Sequence, residues 1–156
     1  MATENKEVTS VLNDLIETTK DGEQGFRSAA EKVKESSLKS LFAKYASQRA
    51  EYGRELQTLV TQLGGDPAKS GHATATLHRG WMNLKEALSK NEDKALIEEC
   101  EAGEDAAVKN YREARSKTLP VNVAAVVQRQ AQGVEEAHRT LSDLKHGRAA
   151  TAASRL

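Results

Sequence analysis

Apolar residues recur along this chain at helical rather than strand spacing. Val8, Val11/Leu12, Leu15/Ile16, Phe26, Ala29/Ala30 and Val33 follow a 3.6-residue period, which predicts a helix over about residues 5–34. The same stripe crosses positions 19, 22 and 23, where it meets Thr19, Gly22 and Glu23. The first helix therefore carries a polar interruption in the middle of its buried face. A second series, Leu38, Leu41/Phe42, Tyr45, Tyr52, Leu56, Leu59/Val60 and Leu63, predicts a helix over about 37–63. Ser36-Ser37 supplies its cap and Gly64-Gly65-Asp66-Pro67 its stop. Arg49 interrupts this stripe. At 100° per residue it lies only about 20° from Leu56, whereas Glu51 points about 140° away.

A third helix, about 91–117, opens with Glu92 and Asp93 where the helix dipole favours acids, and carries Leu96, Cys100, Gly103/Glu104, Ala107, Tyr111 and Ala114. A fourth, about 121–146, follows Pro120 with Val123, Val127, Gln130/Ala131, Val134, His138, Leu141 and Leu144. Residues 148–156 read as a flexible tail. The first and last connections are short, so each flanking pair of helices forms an antiparallel hairpin. About 27 residues separate the second helix from the third, far more than a hairpin loop needs. Within them LHRGWMNLKEAL spaces Leu77, Trp81, Leu84 and Leu88 as a crossover helix over about 74–89. Such a crossover spans the roughly 39 Å length of a 26-residue helix, so the second and third helices run parallel. The expected fold is one all-α domain over residues 1–147, an up-down-down-up four-helix bundle with a short extra helix in its crossover.

Composition narrows the function. Apolar residues make up 38% and charged residues 29% of the chain, and 23 basic side chains balance 23 acidic ones. No net field draws nucleic acid or an acidic membrane surface. The N-terminus lacks the basic and apolar regions of a secretory signal, no apolar run approaches bilayer length, and the single cysteine cannot form an internal disulfide. The expectation is a cytoplasmic protein without nucleic-acid or membrane partners, whose helix faces offer a route to homo-oligomers.

The polar interruptions are the candidate chemistry. Glu23, Glu104, Glu135 and His138 lie near mid-length of the first, third and fourth helices, and Gly22-Glu23 and Gly103-Glu104 form a faint repeat 81 residues apart. Glu135 and His138, within VEEAHRTL, have the Glu-x-x-His spacing of one helical turn. Paired with Arg49 and completed by the Tyr52 and Tyr111 hydroxyls, Glu23, Glu104 and His138 would make a buried polar layer, with Glu135 at its edge. Such a layer can fix helix register without any reaction. Cys100 reads as inert packing and Trp81 as an anchor for the crossover, with His78 and Arg79 facing water. His72 and His146 have no partners at ligand spacing.

The stretches LNDLIETTKDGEQGF, LVTQLGGDPAKSG, LHRGWMNLKEAL and CEAGEDAAVKNYREA resemble a bacterial family described only as a domain of unknown function, within the ferritin-like superfamily of four-helix bundles. That superfamily's metal proteins hold a di-iron centre with one Glu from each of two helices and Glu-x-x-His from the other two. The resemblance thus implies Glu23, Glu104, Glu135 and His138 as metal ligands, with divalent iron or manganese as the cofactor. The second helix departs from that pattern, because Arg49 and Tyr52 stand where Glu and His belong. A permanent guanidinium repels a metal ion and does part of its charge-balancing work. The sequence is therefore read as a non-catalytic bundle whose metal site has degenerated into a Glu/Arg/His layer. The alternative is a stress-related iron- or manganese-binding oxidoreductase.

Overall fold

The structure, a computed structural model, describes residues 2–67 and 80–147. Among them the chain forms five helices: α1 Ala2–Lys32, α2 Ser36–Gln62, α3 Leu84–Ser89, α4 Asp93–Arg115 and α5 Val121–Lys145. No strand occurs among the described residues. The four long helices stand within about three residues of their expected bounds. The tail proposed for 148–156 lies outside the described residues.

Paired residues fix the helix directions. Phe26 packs on Tyr45 while Gly22 adjoins Arg49 and Gly53 adjoins Thr19, so α1 and α2 run antiparallel. Tyr111, near the C-terminal end of α4, bonds Gln130 of α5, and Lys145 at the end of α5 reaches Glu101 nearer the start of α4, so this pair is antiparallel as well. Thr18 meets Asn110, and Asp93 meets the backbone of Lys34 and Glu35, which sets α1 antiparallel to α4. Gln130 bonds Tyr52 and Glu55 across the α2–α5 side. The two hairpins thus close into a ring of four helices, with α2 and α4 parallel across its diagonal.

The core divides into two apolar halves. Leu12, Leu15, Ile16, Leu56, Val60, Val123, Val127 and Val134 fill one, with Tyr111 at its inner limit. Phe26, Val33, Phe42, Leu96, Cys100 and Leu141 fill the other, together with Trp81 from the crossover. Between them runs a belt of polar residues, Thr19 on α1, Arg49 on α2 and Glu104 on α4, where those three helices break their stripes at about mid-length.

The helix ends are built partly as expected. Gly64, at φ +82°, follows the end of α2 in the left-handed region, and Gly65 N–H donates back to the Val60 carbonyl (2.9 Å). The serine cap of α2 is not formed: Glu35 occupies the N-cap position and makes no side-chain cap bond. The Asp93 carboxylate instead accepts the Lys34 and Glu35 amides at 2.8 and 3.0 Å, so the first turn of α4 ties down the α1–α2 connection.

The crossover differs from the expected continuous helix over 74–89. Residues 74–79 lie outside the described residues, and Gly80 to Asn83 form a turn ahead of the six-residue α3. The cause is Trp81. A Cβ added at Gly25 of α1 would stand 2.5 Å from its ring, and one added at Gly103 of α4 would stand 2.5 Å from Cζ2. The indole therefore fills a slot floored by two bare backbones. Gly80 in turn approaches the Gly103 backbone, where a Cβ would meet the Gly103 carbonyl oxygen at 3.1 Å.

Candidate functional site

Arg49 and Glu104 meet at the centre of the polar belt, across the diagonal between α2 and α4. Arg49 Nη1 donates to Glu104 Oε1, and Nη2 donates to Oε2 at 2.6 Å, a bidentate pair whose side chains are 2% and 0% exposed. Arg49 Nε donates to Gln48 Oε1 (3.2 Å), and the guanidinium carbon lies 5.4 Å from the centroid of the Phe26 ring. Gly22 makes room for the stem: a Cβ there would come within 3.2 Å of Arg49 Cγ. Burial alone would lower the Arg49 pKa, but the Glu104 charge and hydrogen bonds outweigh it and raise the pKa. The guanidinium keeps its proton.

Three tyrosines surround the pair, and burial holds each hydroxyl above the ordinary tyrosine range. Tyr111 donates its hydroxyl proton to Gln130 Oε1 at 2.7 Å. The Gln130 amide then donates to the Tyr52 carbonyl (3.2 Å) and to Glu55 Oε1 (3.0 Å), while Arg129 holds the other oxygen of Glu55. A chain of hydrogen bonds therefore runs from the middle of the core to the surface along the α2–α5 seam. Gln130 was legible only as a polar member of the α5 stripe. Its role depends on facing Tyr111 and Tyr52, which spacing within one helix cannot reveal. Tyr52 itself fits because residue 133 is glycine, whose absent Cβ would occupy the position of the hydroxyl.

A model of the family described as "Domain of unknown function (DUF2383)" matches residues 7–117. The chain belongs to the DUF2383 family. No curated protein matches it. The DUF2383 span takes in α1 to α4, and with them Arg49, Glu104 and Trp81. It ends before α5, so Gln130, Glu135 and His138 lie beyond it.

Two residues expected in the layer of this DUF2383 chain stand elsewhere. Glu23 is turned outward and its Oε2 accepts from Arg27 Nη2 at 2.6 Å, one helical turn along the surface. The buried face of α1 passes through Thr19, Gly22 and Phe26, and Glu23 lies one residue, about 100°, beyond Gly22. His138 is 28% exposed and sits on the outer α4–α5 seam, Nε2 lying 2.9 Å from Glu101 Oε2 and 3.6 Å from Asp105 Oδ1. The inward positions of that turn belong to Val134, Ala137 and Leu141. Glu135 lies at the edge, where it meets Arg115 Nη1 at 3.3 Å.

The ligand set implied for a metal centre is consequently not brought together. Glu23, Glu104, Glu135 and His138 each face a different partner, and Glu104 has both oxygens on a guanidinium. Among the described residues no group of three or more His, Cys, Asp or Glu side chains is arranged to hold a metal ion. The donor set does not fit a di-iron centre. No helix among the described residues is long and apolar enough to cross a membrane.

Other buried polar groups escaped the sequence reading. Glu99, buried beside Cys100 on α4, accepts the Asn83 amide at 2.9 Å. Burial raises its pKa and the Asn83 bond opposes the rise. Glu17 and Thr140 are also buried. Cys100 is fully buried, and that burial pushes its thiol pKa well up, which disfavours the reactive thiolate.

Proposed function

We propose that this DUF2383 chain is a non-catalytic helical bundle of ferritin-like, up-down-down-up topology, in which the Arg49–Glu104 pair stands where the superfamily's metal proteins carry their ions. The observation that carries the reading is the bidentate pair itself, buried on both sides. A metal centre supplies positive charge to carboxylates held in a dry core. Arg49 supplies one such charge permanently, from a group that does not lose its proton at any physiological pH. A cation entering beside it would meet like charge and would have to break two charge-assisted hydrogen bonds to reach Glu104. The outward turns of Glu23, Glu135 and His138 support the same reading. The protein then acts through its surfaces, by oligomerisation or by binding other proteins.

The test is elemental analysis of protein purified without affinity-tag metal, repeated after anaerobic loading with Fe(II). The expected result is no stoichiometric iron or manganese in either preparation. One or two equivalents per chain would overturn the proposal in favour of a stress-related, metal-dependent oxidoreductase.

A further inference from the structure

We propose that residues 80–89 form a strap that opens as a unit while the four long helices stay packed, with Trp81 as the plug that closes it. Among the described residues the strap lies against α4 and α1. Trp81 fills the slot between Gly25 and Gly103, the Asn83 amide bonds Glu99 Oε2 (2.9 Å), and Ala87 is buried. Leu84 and Leu88 pack only partly, and Met82, between the plug and the helix, is 81% exposed. A six-residue helix has no stability of its own, so these anchors decide whether it stays down.

The wall behind the plug belongs to the long helices. Glycine backbone at positions 25 and 103 shapes the slot, and the edge of the indole meets Phe26 at 5.2 Å between centroids. The α1–α2 and α4–α5 pairings are made by residues outside the strap, among them the Phe26–Tyr45 and Tyr111–Gln130 contacts. Trp81 and Gly103 also line one end of a groove of about 620 Å³ between the N-terminal half of α1 and the C-terminal half of α4. Withdrawing the indole adds its volume to that groove and makes Phe26 part of the wall. Besides Tyr45 and Phe42, Phe26 also lies against the Arg49 guanidinium, whose carbon is 5.4 Å from its ring centroid. Opening the strap therefore brings the groove within one aromatic ring of the buried ion pair.

Native-state hydrogen exchange of the full chain, followed by mass spectrometry at rising sub-denaturing urea, tests the strap. The expected result is that amides 83–90 exchange at least tenfold faster than those of α2 and α5, at rates that rise with urea far less steeply than global unfolding does. Trp81→Ala should abolish strap protection yet leave α2 and α5 amides protected. Exchange of strap amides in step with α4 and with the full urea dependence of global unfolding would overturn the proposal. So would loss of protection across all four long helices in Trp81→Ala. The wild-type measurement decides even if that variant does not fold.

Discussion

Replacing Arg49 by methionine keeps a long flexible stem in the core and removes the guanidinium. The structure sets the size of the effect. Two charge-assisted hydrogen bonds to Glu104 are lost, each contributing about 1.5–3 kcal/mol. The carboxylate left behind is fully buried, with no solvent to take it up. Methionine recovers part of the packing against Phe26, and the stranded carboxyl can escape by binding a proton. The net loss should be about 3–5 kcal/mol at neutral pH, which for a domain of this size lowers Tm by roughly 6–20 °C. The loss should shrink as the pH falls, because acid relieves the unpaired carboxylate. Replacing both partners, Arg49→Met with Glu104→Leu, should cost much less than the two single changes summed, leaving a coupling of about 2–3 kcal/mol. Urea unfolding followed by circular dichroism measures all four corners of the cycle. An Arg49→Met variant within about 1 kcal/mol of wild type, or a cycle that sums without coupling, would refute the ionic core.

Glu23→Ala provides the contrast: its pair with Arg27 is a surface i,i+4 contact, and calorimetry should detect a change below about 0.5 kcal/mol. Gly103→Ala should destabilise by about 1–3 kcal/mol despite alanine's better helix propensity, because the new methyl enters the Trp81 ring, and Trp81 fluorescence should shift with it. Burial raises the Tyr111 pKa, so the native state retains a proton that the unfolded chain releases near pH 10. Its contribution is whole below about pH 10 and is lost as the pH rises further, and Tyr111→Phe should flatten that part of the alkaline unfolding curve. Cys100 should resist alkylation in the native protein and react only as it unfolds, which a thiol-reagent time course in urea will reveal.

Much of this architecture is written in residue spacing. The stripes from Val8 to Val33 and from Leu38 to Leu63 each placed a long helix, and the long α2–α4 connection implied the parallel pair. Arg49 was also legible, since a cation near the centre of an apolar stripe needs a buried partner; spacing offered both Glu23 and Glu104, and only Glu104 pairs with it. Glu23 and His138 show where that reasoning stops. Each lies one residue, or about 100°, from a position that does face inward, and that offset turns Glu23 toward Arg27 and His138 toward Glu101. The stripe through Trp81 and Leu84 had helical spacing, but tertiary packing overrode it. Gly25 and Gly103 open a slot between helices that are far apart in sequence, and no local pattern records such a slot. Gln130 and Glu99 were hidden for the same reason, their partners being on other elements.

A permanent guanidinium at the centre of this core should leave a metal ion no place to bind. Titrating chelator-stripped protein with Mn(II) and following the free ion by electron paramagnetic resonance tests it most directly. The free-ion signal should grow from the first addition as it does in buffer. Stoichiometric loss of that signal in the wild-type protein, abolished by Glu104→Gln, would contradict it.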